Sequence, residues 1–361
     1  MYEINNMKLR YTLIGVLCFS INIVLQAQQQ ALEGKIAGFL KGKKATVGVA
    51  VLTDKDETIL HNNEVHYPLL SVFKFHVALA VLDKMNREEI PLKHIVHVKA
   101  SQLQPNTYSP LRQKHSSQDL DISLGELLQY SISLSDNNAC DILIEYAGGI
   151  GHIHQYIRKL GINDFNLSET EDSMHRNPQK AYANWSTPSE MVRLLKMADE
   201  KDLFAPVYRD FLWKTMTETA TGSNKLKGLL PSNTVVGHKT GSSDRNLKGV
   251  KMADNDAGIV IMPGGKKYYI AVFVTDSSET DEENAAITAF FLFGKDGQAA
   301  VRYPESCHPA FVGVSVLAKP YHPDRVIILF RKPYRVHGMV MEQLPYRFDD
   351  VFSQFFDPVS E

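Results

Sequence analysis

Apolar positions along this chain recur at two different periods, and the change from one to the other divides it. Residues 46–52 and 57–60 carry strand-like patterning on either side of Asp54-Lys55-Asp56, which predicts a hairpin. Strand signatures return at 234–240, 257–262 and 267–275, the last two joined by a turn at Pro263-Gly264-Gly265. Between these stretches the spacing is helical. Residues 71–85 place Val72, Phe73, Val77, Leu79, Ala80, Val81 and Leu82 in a strongly apolar, central helix. Further helices are predicted at 123–130, 138–146, 187–197 and 208–217, and residues 29–40 share the spacing. Strands at both ends with helices between them predict an α/β (α+β) sandwich. The terminal segments share one antiparallel sheet, the middle forms a helical lobe, and the cleft between the lobes is where a site is expected. There is no internal repeat.

The extreme N-terminus does not fit this pattern. Lys8 and Arg10 precede an apolar run over 11–25, ending near Ala27, which is the layout of a signal peptide. Residues 1–27 are therefore expected to be a cleaved leader, Cys18 leaving with it, and the mature protein to be periplasmic. No later run of about 20 apolar residues follows, so no stable membrane insertion is expected after cleavage.

Composition acts mainly by exclusion. The 39 Lys+Arg against 41 Asp+Glu leave a net charge of -2, which disfavours nucleic acid as a partner. Three widely separated cysteines in 361 residues exclude a disulfide scaffold, and Cys140 is expected to be a free buried thiol rather than paired with Cys307. His152 and His154 lack the following Asp of a His-x-His-x-Asp zinc pattern, so no metal and no cofactor are expected.

Three short motifs carry candidate chemistry. Ser71-Val72-Phe73-Lys74 is the only Ser-x-x-Lys in the chain, and helical spacing of i to i+3 sets the amine beside the hydroxyl whose proton it could take. Ser135-Asp136-Asn137 falls on a short loop between two predicted helices. Lys239-Thr240-Gly241-Ser242 ends a β-rich run, lining up a cation, two hydroxyls and unobstructed backbone along a strand. Each alone is also what an ordinary buried serine, a helix cap or a glycine turn looks like.

Taken in order, the three resemble the motif set of class A serine β-lactamases and penicillin-binding proteins. The segment 168–175, Ser-Glu-Thr-Glu-Asp-Ser-Met-His, is similar to the Ω-loop of class A. It resembles in particular the Bacteroidetes cephalosporinases and related extended-spectrum enzymes, which carry a Glu-x-x-Met-His pattern there. The resemblance covers residues 29–287 and implies an enzyme that hydrolyses cephalosporins and penicillins, a monomer with β-lactam antibiotics as its small-molecule substrate. By resemblance Ser71 is the nucleophile, with the N–H groups of Ser71 and Ser242 as oxyanion hole. Lys74, or Glu171 through a water, is the base for acylation, and Glu171 is the base for deacylation. Glu169 competes for that last role, but only Glu171 sets the Glu-x-x-Met-His spacing. Ser135 is expected to relay a proton to the leaving nitrogen and Asn137 to hold the substrate's amide side chain. Lys239, Thr240, Gly241 and Ser242 are expected to bind its carboxylate, His175 to share in holding the water, and Tyr108 to wall the cleft mouth.

Two departures accompany the resemblance. Lys225 stands where relatives often place an arginine that reinforces carboxylate binding, keeping the charge without the bidentate fork. The last helix begins with Ser278 and Asp281 as an expected capping box, but residues 290–297 break its pattern, and 288–361 resemble nothing in class A. The expected organisation is thus leader 1–27, catalytic domain 28–287 and tail 288–361. The competing expectations are a DD-peptidase, which lacks the Ω-loop glutamate, a penicillin-recognising binding protein, and an inactive product of a gene with an altered 3′ end.

Overall fold

The computed structural model describes residues 34, 36–115, 118–231, 233–289, 291–293 and 299–301, then 319–322, 325–327, 335–336 and 339–340. The expected leader, Cys18, the first residues of the helix expected over 29–40, and Cys307 lie outside the described residues. The chain divides into two compact units, Met1–Arg302 and Tyr303–Glu361. In the second, Lys319–His322 pairs with Arg325–Ile327 and Arg335–Val336 with Met339–Val340, both antiparallel.

The first unit carries the site. Its strands β1 (Thr46–Thr53) and β2 (Thr58–His61) form the expected hairpin. β3 (Tyr67–Pro68) leads into a 3-10 turn, Leu70–Phe73, and straight on into α1 (Lys74–Arg87). The helical lobe continues through β4 (Ile95–Val98), α2 (Pro110–His115), β5 (Leu120–Ser123), α3 (Leu124–Ser133), α4 (Asn137–Tyr146) and α5 (Ile150–Lys159). A long loop then runs from β6 (Phe165–Asn166) through α6 (Glu171–Arg176) and a 3-10 turn, Pro178–Ala183, to β7 (Trp185–Ser186). Next come α7 (Pro188–Glu200), α8 (Pro206–Thr217), β8 (Val235–Ser242), β9 (Lys251–Ile261), β10 (Lys267–Ser277) and α9 (Asp281–Ala289). A short pair, β11 (Phe291–Phe293) with β12 (Ala299–Val301), follows.

Five strands from the two ends of this unit form one antiparallel sheet, in the order β2-β1-β10-β9-β8. The period of two that marks a strand sends alternate residues to opposite faces. On β10, Tyr269, Ala271 and Phe273 join the core shared with the helical lobe, whereas Ile270, Val272 and Val274 join a second core on the other face with Val47, Val49, Val51 and Ile287. Tyr67 lies flat over Gly48, where an added Cβ would come within 2.3 Å of its ring. Packing a sheet on both faces is what lets its strand ends be placed rigidly enough to carry a site.

α1 is the pivot. Every residue from Lys74 to Leu82 is buried, the signature of a helix surrounded by protein. The expectation of a helix beginning at Ser71 is corrected: Ser71 sits in the 3-10 turn, and the α-helix begins only at Lys74. In a 3-10 turn i and i+3 eclipse, so the pair remains adjacent. Leu70, immediately before, has φ of 44°, a left-handed conformation costly for a leucine and typical of a functional turn.

The hairpin β4–β5 and the helices α2 and α5 were not expected. For α5 the signal is present, since Ile150, Ile153 and Ile157 recur at helical spacing. The capping box of α9 is also corrected. Thr280 Oγ1 accepts from the Glu283 N–H at 3.1 Å and Glu283 Oε2 accepts from the Thr280 N–H at 3.2 Å. The Ser278 N–H donates to Lys44 O, and Asp281 pairs with Lys251 and Arg245 instead. The helix needed its acceptor one residue before its first turn, which Thr280 provides and Ser278 does not.

Candidate active site

The three motifs meet at the edge between sheet and helical lobe. Gly241 on β8 runs against the Ser71 turn so closely that an added Cβ would lie 2.5 Å from Leu69 O and 3.1 Å from Ser71 N. Only glycine allows that approach, which gives the motif's third residue its reason. From β9, Asn255, fully buried, donates to Pro68 O at 2.8 Å and Leu69 O at 3.3 Å, tying the same turn to the sheet.

The Ser135 loop arrives from the other side. α3 ends at Ser133, and Ser135 adopts φ of 57°, again left-handed and non-glycine. Asp136 caps α4 by accepting from Ala139 N–H at 2.9 Å, and it also accepts from Ser109 Oγ and Leu111 N–H. Its role is to set the loop, and burial pushes its carboxyl up despite these donors. The loop thereby presents its two neighbours to the cleft. Lys239 Nζ, fully buried, donates to Ser135 Oγ at 2.9 Å and to Thr240 O at 2.8 Å. Burial and then the nearby charge of Lys74 hold the Lys239 ammonium well below the usual lysine range.

Lys74 is the centre of the arrangement. Its Nζ, also fully buried, donates to Ser135 O and to Asn137 Oδ1, each at 2.6 Å, and pairs with Glu171 Oε1 at 3.0 Å. Two hydrogen bonds and one ion pair thus hold the ammonium, and Glu171 Oε1, buried without a hydrogen-bond partner of its own, faces it at charge-pair distance. Asn137 is held in turn by donating from Nδ2 to Thr107 Oγ1 at 2.7 Å. Among the described residues no hydrogen bond engages the Ser71 hydroxyl.

Glu171 opens α6, and the loop that carries it is clamped at two points. Asp141, on α4 one turn beyond Asn137, accepts from the N–H groups of Glu171 and Asp172, both at 2.8 Å. Burial is the main cause that pushes its carboxyl up to about 7. Asn184, fully buried, accepts from the Ser168 and Glu169 N–H groups at 2.8 and 2.9 Å and donates to Glu169 O at 2.8 Å, while its own carbonyl accepts from Leu69 N–H at 2.8 Å. The Asn184 side chain thus closes the neck of the loop, and its main-chain carbonyl joins the loop to the Ser71 turn. Glu169 is turned elsewhere, accepting from Ser173 Oγ at 2.6 Å and Lys180 Nζ at 3.0 Å. Of the two glutamates, only Glu171 reaches Lys74. The buried seam of α6 runs through Glu171 and Met174, and His175, 100° further round the helix from Met174, is exposed and does not line the cleft.

The cleft has a volume of about 370 Å³ and is lined by Ser71, Ser135, Asn137, Thr240 and Ser242, with Tyr108 at its exposed mouth. It continues past Lys225 to Asp254 and Asp281. Thr240 Oγ1 shares a hydrogen bond with Thr221 Oγ1 at 2.7 Å. Asp141, Asn184, Asn255 and Asp254 were not foreseen as part of the site. Only Asp141 had a signal, its one-turn spacing from Asn137 on a predicted helix. Cys140 is a buried free thiol. No cluster of three metal-binding side chains occurs among the described residues, nor any helix long and apolar enough to cross a membrane.

A fold that packs a five-stranded antiparallel sheet on a helical lobe, with serine, lysine and glutamate side chains converging where they meet, defines a class of enzyme that known proteins identify. Residues 31–290 match the family model described as the β-lactamase enzyme family. A β-lactamase of Bacteroides uniformis is 64% identical over 285 residues, 78% of this chain and 96% of the relative. The extended-spectrum β-lactamase PER-1 of Pseudomonas aeruginosa is 40% identical over 264 residues, 73% of this chain and 85% of that one. The crystal structure of a class A β-lactamase from Bacteroides cellulosilyticus superimposes with a TM-score of 0.71 at 60% identity, covering 73% of this chain and 94% of the other. The chain belongs to the β-lactamase enzyme family and is a class A β-lactamase, a hydrolase.

Proposed function

We propose that this enzyme hydrolyses the β-lactam ring of cephalosporins and penicillins through an acyl-enzyme on Ser71, as an exported protein that protects its host from these antibiotics. The observation that carries this reading is the Lys74 ammonium, whose two hydrogen bonds and one ion pair join the Ser135 loop, Asn137 and the Ω-loop Glu171. Ser71 Oγ attacks the lactam carbonyl, and the N–H groups of Ser71 and Ser242 receive the oxyanion. Two routes take up the serine proton. Lys74 accepts it directly after passing its own proton to Glu171, or Glu171 accepts it through a water. Lys239 donates to Ser135 Oγ, which leaves the Ser135 proton free for the departing lactam nitrogen. Asn137 meets the substrate's amide side chain, and β8 meets its carboxylate through Lys239 and Thr240. Glu171 then activates the water that releases the product. His175, exposed on α6, is left with at most an outer part in holding that water.

The extended-spectrum relative and the Glu171–Lys74 pair both favour turnover over a penicillin-binding protein that stays acylated. The test is a time-resolved intact mass spectrum of the enzyme mixed with a cephalosporin. An adduct that forms and clears as substrate disappears is expected, and a stable adduct would move the protein to the peptidase or binding-protein reading.

A further inference from the structure

The end of the cleft farthest from Glu171 contains a carboxylate of the protein's own. Asp254, on β9 opposite Ser242 in the strand register, is 2% exposed and lines the cleft floor. Its Oδ1 accepts from both Lys225 Nζ and Ser242 Oγ, and its Oδ2 accepts from Lys251 Nζ at 3.0 Å. Lys225 Nζ makes two more bonds, to Ser242 Oγ and Asn255 O, each at 3.2 Å. An ammonium has three protons and a serine hydroxyl one. Every ammonium donor of Lys225 is therefore engaged, and so is the hydroxyl donor of Ser242, while the Ser242 N–H is a separate group. Burial pushes the Asp254 carboxyl up, but the charge of Lys225 and the bonds from Lys225 and Ser242 bring it below the usual carboxylate range, so it stays ionised in this nest.

We infer that Asp254 is a specificity-determining residue, an internal carboxylate that occupies Lys225 and Ser242 and leaves the substrate carboxylate to Lys239 and Thr240. The inference rests on the reading that β8 receives that carboxylate. It gives the enzyme a preference of a stated kind. A β-lactam whose carboxylate is its only charge meets a site where the Lys225 ammonium and the Ser242 hydroxyl are already taken by Asp254 and offer it no further hydrogen bond. A zwitterionic β-lactam, whose carboxylate is compensated in part by its own cationic substituent, depends less on that missing contact.

The experiment measures KM and kcat for a monoanionic chromogenic cephalosporin and for a cephalosporin bearing a quaternary ammonium, using the parent enzyme, Asp254→Asn and the double variant Lys225→Met/Asp254→Asn. Asp254→Asn is expected to lower KM for the monoanionic substrate by about three- to tenfold, the scale of a regained charge-assisted hydrogen bond at a partly wet site. The zwitterion gains less, and the change falls on KM more than on kcat. Loss of Asp254 alone takes the carboxylate from two buried lysines, of which only Lys251 keeps another, Asp281, so the double variant, which also removes the Lys225 charge, keeps the idea testable if the single variant melts early. With Ser242 released and no cation added, its KM for the monoanion is expected at or below the parent value. A severalfold rise in KM in the variants that fold would overturn the inference and make Asp254 a residue that orients Lys225 and Ser242 for substrate. Thr240→Val in the parent chain tests the underlying placement separately. An unchanged KM there removes β8 as the carboxylate site whatever Asp254 does.

Discussion

The two ends of the cleft each bury a lysine, and they treat it differently. At one end Lys74 is matched to Ser135 O, Asn137 Oδ1 and Glu171 Oε1, groups that belong to the residues expected to do the chemistry. At the other, Lys225 is matched to Asp254, Ser242 and Asn255, of which Asp254 and Asn255 were not foreseen as part of the site. Both ammoniums are paired with a carboxylate and hydrogen-bonded besides, as a buried charge has to be. The difference lies in how their partners are held. Glu171 sits on a loop tied down by N–H groups that donate to Asp141 and Asn184, whereas Asp254 is a strand residue in the sheet itself. A carboxylate on a clamped loop can exchange a proton with its neighbour and face a water. One built into a sheet is a fixed counter-charge.

The largest expected effect removes what both ends serve. Ser71→Ala abolishes hydrolysis, a loss of about 10⁴-fold or more, with the fold intact by circular dichroism; residual turnover near the parent rate would place the nucleophile elsewhere. Breaking the Lys74 end alone is next. Glu171→Gln is expected to acylate and then hold the adduct, slowing release by about 10²- to 10⁴-fold, read as a persistent mass increase. Rapid clearance by this variant would transfer the deacylating role to another group, Glu169 being the first to examine.

A smaller effect follows from the clamp. Asn184→Ala leaves the Ser168 and Glu169 N–H groups and Glu169 O without their partner, costing about 1–3 kcal/mol. It is expected to lower the melting midpoint and slow deacylation more than acylation; equal slowing of both steps would mean the neck does not act through Glu171. The smallest concerns Asp141. Its carboxyl, ordinarily near 3.8, is pushed up to about 7 in the folded chain, so the native state binds the proton more tightly than the unfolded one. The stabilisation from that proton is full below about pH 4 and lost as pH rises through about 7. Asp141→Asn should therefore flatten the fall in melting temperature between those limits, and an unaltered slope would show that another group governs it.

Much of the site could be read before the fold was known, for a local reason. Ser71 with Lys74, Ser135 with Asn137, and Lys239 with Ser242 each lie within a few residues on one turn, loop or strand, where backbone geometry alone brings them together. The main sheet was legible for the same reason, since the near-continuous apolar runs of β1 and β10 are what a strand with two covered faces needs. The hairpin β4–β5 was not, because its half-exposed four-residue strands lack a sustained period. The α9 box was misplaced by one acceptor, because Ser278 and Thr280 both look like caps and only the actual first turn distinguishes them.

By itself, then, the sequence determined the α/β plan and the order of the motifs, which depend on short-range spacing, while the expectation of Glu171 rather than Glu169 as base came from the resemblance of Glu-x-x-Met-His to the family's pattern. Only the tertiary structure decided that Asn184 locks the Ω-loop, that Asn255 anchors the Ser71 turn, that His175 faces outward and that Asp254 accepts from Lys225 and Ser242. Those outcomes depend on which buried donors and acceptors come within about 3 Å of one another, and such pairings are set by packing between segments far apart in the chain, where no period or motif records them.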